Sequence, residues 1–176
     1  QFYPELNVTE LKSVAMGTAA SIKDENKQVY PVSRMGAGRV RIDKALSSLV
    51  AAQPASLSLG AVRIEDKKVI YKEIKLRNLR PEAINFKVQF QGHPAFSINT
   101  GDISMGPKGA GILALKIAID ASKIKNTTEE IDGFVRLMQG EQEIFRLPVL
   151  AITRKVSELS AESLKIFSTS AADSDG

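Results

Sequence analysis

The 176-residue chain has no cysteine, no tryptophan and a single histidine. Without cysteine, disulfides and thiolate metal sites are excluded. With one histidine, any mechanism using imidazole as a base must use His93. Long apolar runs are also missing: each is broken within a few residues, far short of the ~20 that span a bilayer, so no membrane span is expected. The start, Gln1-Phe2-Tyr3-Pro4, has no initiator Met, basic region or apolar signal core, and reads as a piece of something longer. Charge of one sign is not concentrated either. The formal net charge of +4 comes from Lys and Arg interleaved with acids, as in Arg63-Ile64-Glu65-Asp66-Lys67-Lys68. The locally basic Lys72, Lys75, Arg77 and Arg80 read as an outward strand face, and no nucleic-acid partner is expected.

What is present suits a globular chain, with 43% hydrophobic and 25% charged residues. Asn7-Val8-Thr9-Glu10 has the form of a capping box, in which the Asn7 side chain accepts from the Glu10 amide and the Glu10 carboxylate reaches back. A helix over residues 8–18 follows, with Leu11, Val14 and Ala15 on one face. Residues 21–34 are polar, contain Pro31 and read as an exposed loop. A second helix is expected over residues 42–50, with Ala45, Leu46 and Leu49 inward. The glycine-bracketed turn Met35-Gly36-Ala37-Gly38 leads into it.

After Pro54 the periodicity changes from helical to alternating. Ile84-Asn85-Phe86-Lys87-Val88-Gln89-Phe90 and Leu113-Ala114-Leu115-Lys116-Ile117-Ala118-Ile119 each have one apolar face and read as half-buried strands. Further strands are expected over 55–59, 69–77, 95–98, 133–138 and 144–152. Pro148 cannot donate to a ladder and predicts an edge or a bulge in the last strand. The fold class expected is mainly β: a seven-stranded antiparallel immunoglobulin or fibronectin III-like β-sandwich preceded by two short helices. The tail from residue 156 reads as a linker or the first strand of a further domain, because Ala161-Glu162-Ser163-Leu164-Lys165-Ile166 echoes Pro54-Ala55-Ser56-Leu57-Ser58-Leu59. A short amphipathic helix is the competing reading, and residues 168–176 read as disordered.

No residue here is assigned a catalytic, cofactor-binding or metal-ligating role. His93, in Phe90-Gln91-Gly92-His93-Pro94, reads as a solvated turn histidine. The acidic run Thr127-Thr128-Glu129-Glu130-Ile131-Asp132 has no EF-hand spacing and reads as a solvated loop. Neither Gly106-Pro107-Lys108-Gly109-Ala110-Gly111 nor the 35–38 turn has phosphate-loop order. Asn7-Val8-Thr9 and Asn126-Thr127-Thr128 match the N-glycosylation pattern, which short matches reach by chance.

Two sets of residues carry a resemblance to a known family. Met16-Gly17-Thr18-Ala19 followed by Met35-Gly36-Ala37-Gly38 and a closing helix resembles the last segment of a subtilisin-like serine protease domain. Ile74-Lys75-Leu76-Arg77-Asn78 and Phe145-Arg146-Leu147-Pro148-Val149 resemble the Val-x-Leu-x-Asn and Arg-x-Pro-Val strands of the fibronectin III-like sandwich that follows that domain in such subtilases. Arg41 departs from the Asn or Asp cap common in the family. Gly17-Thr18-Ala19-Ala20 is not a mutated Gly-Thr-Ser-Met-Ala nucleophile motif, because the helix after it would be the charged Ser21-Ile22-Lys23-Asp24-Glu25-Asn26.

The resemblance implies three parts: a remnant of the peptidase domain over 1–53, the sandwich over 54–155, and the tail over 156–176. It implies a non-catalytic C-terminal region of a secreted or cell-envelope serine endopeptidase, supporting the protease body or positioning protein substrate. The family's Asp, His and Ser are not carried over. The implied partners are the missing remainder of the protease domain and the parent's protein substrates, with no cofactor. The alternative is an independent adhesive or structural β-sandwich module. Exposure of Leu11, Val14, Leu46 and Leu49 would favour the fragment.

Overall fold

The computed structural model describes residues 4–156. The readings of the tail beyond residue 156 lie outside the described residues. Three short helices come first: α1 (Val8–Gly17), α2 (Val32–Met35) and α3 (Ile42–Leu46). Nine strands follow: β1 (Val50–Gln53), β2 (Leu57–Ile64), β3 (Lys67–Asn78), β4 (Ile84–Gly92), β5 (Phe96–Asn99), β6 (Ile103–Met105), β7 (Ala110–Asp120), β8 (Thr128–Gln139) and β9 (Gln142–Lys155). A 3-10 turn, Ala121–Lys123, links β7 to β8.

The strands form a β-sandwich of a four-stranded sheet, β1-β3-β7-β5, and a five-stranded sheet, β2-β9-β8-β4-β6. The mainly β, immunoglobulin-like two-layer architecture implied by the alternation is the one that forms. Between the sheets the alternate residues Ile74, Leu76, Leu113, Leu115, Ile117 and Ile119 of one layer meet Phe86, Ile131, Val135, Leu137, Leu147 and Val149 of the other. Their burial supplies the main driving force for folding.

Two details differ from the expected seven antiparallel strands. Short β1 and β6 raise the number to nine, and β2 pairs with β9 in parallel. The chain passes from β1 to β2 through three residues without reversing, so β2 runs the same way as β1. Both oppose β3, and β2 reaches the edge of β9 running alongside it. Gly60, at φ 67, lies where the β2 register shifts between Ser58 and Ala61. The resulting irregularity bends an edge strand, a common protection against pairing with another chain.

The expectation for Pro148 is met: β9 carries a bulge against β8 and is a one-sided edge where Pro148 lies. β9 is interior from Val149 onward, where β2 joins it, and its register shift on β8 falls between Leu137 and Met138. Before Val149, β9 is paired on β8 alone. Pro148 therefore sits at the last position before a second ladder partner arrives.

The expected helix over 42–50 stops at Leu46. The Ser47 hydroxyl donates to the Asp43 carbonyl at 2.9 Å, and residues 50–53 pair with β3 as β1. Val50, Ala51 and Ala52 are all buried, which a strand between two packed layers permits. Val50 and Ala52 join the main core, while Ala51 packs with Leu6, Val14 and Leu79 in a second cluster beneath α1. The Ser13 hydroxyl accepts from the Ala52 amide at 2.8 Å, so α1 covers the outer edge of β1. Residues 21–34 are not a plain exposed loop: they contain the bridge Lys23↔Val29 and the single turn of α2, which buries Val32.

Candidate functional site: a strapped sheet face and an uncovered helix face

The capping box at the start of α1 forms as the residues require. The Glu10 amide donates to the Asn7 side chain at 2.9 Å and the Asn7 amide donates to Glu10 at 3.0 Å. The same Glu10 carboxylate lies 3.5 Å from the Arg77 guanidinium on β3. Arg41 does not cap α3; its Nε donates instead to the Thr18 carbonyl at 2.9 Å, at the end of α1.

From Thr18 to Arg39 the chain runs as a strap over the outer face of the five-stranded sheet. Phe145 to Val149 are all buried, so both faces of this stretch of β9 are covered. Phe145, Leu147 and Val149 belong to the core between the sheets. Arg146 points the other way. Its Nη1 donates to the Ser21 hydroxyl at 2.6 Å and its Nη2 to the Ala37 carbonyl at 2.7 Å. The guanidinium carbon sits 4.3 Å from the centroid of the Phe134 ring. Burial lowers the Arg146 pKa; Glu143 opposes this shift and Arg41 and Arg136 add to it. Arginine stays protonated regardless. A second anchor is the Asp132 carboxylate on β8, which accepts from the Val32 amide at the start of α2. Glu143 and Arg136 form an ion pair beside it.

The turn at 35–38 is shaped by this docking. Gly36 has φ 60 and Gly38 φ 114, both left-handed. Ala20 and Arg39 exchange backbone hydrogen bonds of 2.8 Å, and a Cβ at Gly38 would run into the Ala20 carbonyl. The second glycine-rich stretch closes a turn, with the Gly109 amide donating to the Gly106 carbonyl at 3.0 Å. Asn78, the Asn of the Val-x-Leu-x-Asn-like strand, is fully buried. It donates to the carbonyls of Glu82 and Gly106, both at 2.7 Å, and accepts from the Arg80 amide at 2.8 Å.

His93 is not a solvated turn residue. Its Nδ1 accepts from the Ala95 amide at 3.2 Å, which leaves Nε2 facing Glu129 at 3.5 Å. The acidic run is strand rather than loop. Glu129 accepts from the amides of Lys125 and Asn126 at 2.7 and 3.0 Å, and Asp132 accepts from Val32. No cluster of three or more His, Asp or Glu suited to a metal occurs among the described residues.

The helices leave apolar surface uncovered. Val8 is 82% exposed, Ile42 70%, Val40 57%, Leu11 48% and Leu46 41%, while Val14 is buried and Leu49 half-buried. Val8 and Leu11 share one face of α1, and Ile42 and Leu46 one face of α3. Two of the four residues named from the sequence are thus exposed, and three unnamed ones join them. Sequence reasoning missed the roles of Arg146 and Asp132. Their signal was present: on strands that alternate, each is a polar residue whose face must either meet water or be covered.

The fold and these surfaces define a β-sandwich with an N-terminal helical strap. No protein-family profile matches the chain. Over 158 residues it is 25% identical to the minor extracellular protease Vpr of Bacillus subtilis (strain 168), covering 88% of this chain and 19% of that protein. The chain thus spans about a fifth of the curated relative it matches. Among solved structures it is similar to the ASH/PapD-like domain 7 of human CEP192, at TM-score 0.40 and 9% identity over 62% of this chain and 86% of that one. It is also similar to SSP-19, an MSP-domain-like protein of Caenorhabditis elegans, at TM-score 0.35 and 13% identity over 58% of this chain and 97% of that one. Among the described residues no helix is long and apolar enough to cross a membrane.

Proposed function

We propose that this chain is the non-catalytic C-terminal region of a secreted subtilisin-like serine endopeptidase. Residues 1–49 are the closing edge of the peptidase domain, and 50–155, which take in β1, the sandwich that supports it or positions protein substrate. The observation that carries the reading is the exposure of Val8 and Leu11 on α1 and of Val40 and Ile42 at the start of α3, beside a strap that is otherwise firmly anchored. A self-contained module gains nothing by exposing large aliphatic side chains on two adjacent helices. The similarity to part of an extracellular protease supports the same reading. So do the jobs of the two family-like strand motifs: Arg146 holds the strap and Asn78 holds the adjoining loops. The partner of the uncovered face is the remainder of the protease domain, and the working compartment is the cell exterior or envelope.

The test has two arms. The coding region upstream of Gln1 should encode a Gly-Thr-Ser-Met-Ala run about one long helix before it, some ~20 to 30 residues. The double change Leu11→Ser with Ile42→Ser should leave the melting temperature of this chain nearly unchanged and lower that of the longer protease by several degrees. An upstream region without the serine motif would leave the independent adhesive module as the correct reading. In either case a serine-reactive fluorophosphonate should not label this chain.

A further inference from the structure

The sequence scatters its cations, but the fold gathers several at the end of the sandwich farthest from the helices. Arg63 on β2 and Arg154 on β9 are register partners, and Arg154 is in turn the register partner of Thr128 on β8. Adjacent strands lie ~4.8 Å apart, so this row sets two guanidinium groups and a hydroxyl side by side on the outer face of the sheet. All three residues are exposed. Like charges directly opposite each other destabilise a sheet, and neither arginine has a carboxylate within ion-pair distance among the described residues. Next to the row, a notch of about 310 Å³ is lined by Arg63, Ile64, Glu65, Lys67, Lys68 and Val156. Acids stand close by as well: Glu65 lines the notch, Asp120 is the register partner of Lys67 and accepts from Ser122, Glu129 accepts from the amides of Lys125 and Asn126, and exposed Glu130 lies two residues from Thr128 on β8.

We infer that this end of the sandwich binds a flexible polyanion carrying repeated phosphate groups. Planar guanidinium groups bind phosphate oxygens in bidentate fashion, and two on neighbouring strands present such forks in parallel. The lysines of the notch then follow the chain of charge as it leaves the row. The observations favour a polymer without bases. The strongly exposed aromatic, Tyr71, lies on the outer face of the opposite sheet, so among the described residues no stacking platform adjoins the row. They also disfavour a lipid surface, since Val156 is the single exposed aliphatic residue of the notch. This inference is independent of the proposed protease context.

The test measures binding of inorganic polyphosphate to the full chain across a salt series, with single-stranded oligonucleotide and anionic phospholipid vesicles as parallel arms. For the native chain, log affinity should fall steeply with log salt, as counterions leave the polymer. The double variant Arg63→Gln with Arg154→Gln should bind about tenfold more weakly or worse and lose about one and a half to two units of salt slope. Its melting temperature should hold or rise, because a like-charge contact has been removed. The control Lys87→Gln with Lys116→Gln makes the same change in net charge on other exposed positions and should bind normally. Equal loss in variant and control would reduce the effect to net charge and overturn the site. Preference for the oligonucleotide, or binding to vesicles alone, would overturn the assignment of the ligand.

Discussion

The Arg146 guanidinium donates to the Ala37 carbonyl across 109 residues of sequence at 2.7 Å, joining the last long strand to the turn before α3. This contact and the Ser21 hydrogen bond make the strap part of the sandwich. Arg146→Ala should cost about 2–4 kcal/mol, since it leaves the buried Ala37 carbonyl unpaired and opens space over Phe134. Arg146→Lys keeps the charge but loses the fork and should recover less than half. Denaturant melts measure the cost, and faster proteolysis between residues 21 and 34 locates it. Unchanged proteolysis would mean the strap is held by other contacts.

Gly36 and Gly38 share a positive φ but not a neighbourhood. A Cβ at Gly36 meets nothing within 4 Å, whereas at Gly38 it runs into the Ala20 carbonyl. Gly36→Ala should therefore cost about 1 kcal/mol, the conformational penalty alone. Gly38→Ala should cost distinctly more, about 2–4 kcal/mol, because the 20/39 bridge must also open. Equal costs would show that the turn relaxes freely.

Asn78 both donates and accepts in a buried site. Asn78→Ala should cost about 2–4 kcal/mol, since two carbonyls and one amide lose their partner. Asn78→Asp should be at least as damaging near neutral pH, for a carboxylate cannot donate to the Glu82 and Gly106 carbonyls. Its deficit should shrink in acid, where a protonated Asp regains one donor.

Glu129 titrates below the ordinary carboxylate range. The Asn126 amide is the largest cause, burial opposes it, and the Lys125 amide and the charges of His93 and Lys125 add to it. A carboxyl whose folded pKa is depressed contributes stability that is complete above its unfolded pKa and is lost as pH falls through the folded value. Stability should therefore fall as pH drops below the ordinary glutamate value of about 4.3. In Glu129→Gln that part of the acid loss should disappear, leaving a shallower pH profile in thermal melts.

Much of the fold was legible locally. Alternation over 84–90 and 113–119 set Phe86, Leu113, Leu115, Ile117 and Ile119 on inward faces, and the core contains them. The Asn7 and Glu10 capping box was legible for the same reason, since every atom it needs lies within four residues. The expected helix runs to residue 50 and leaves 51–53 without an element, because two alanines and a valine after a short helix suit either state locally. Only the open edge of β3 makes them a strand.

The sequence by itself determined seven of the nine strands, the apolar faces of the long ones and the start of the first helix, because period and capping depend on neighbours along the chain. Tertiary structure alone decided that Arg146 is covered, that His93 meets Glu129 and that Arg63 stands beside Arg154. Those outcomes depend on which distant strands pair and in what register, and no local pattern of side chains encodes that choice.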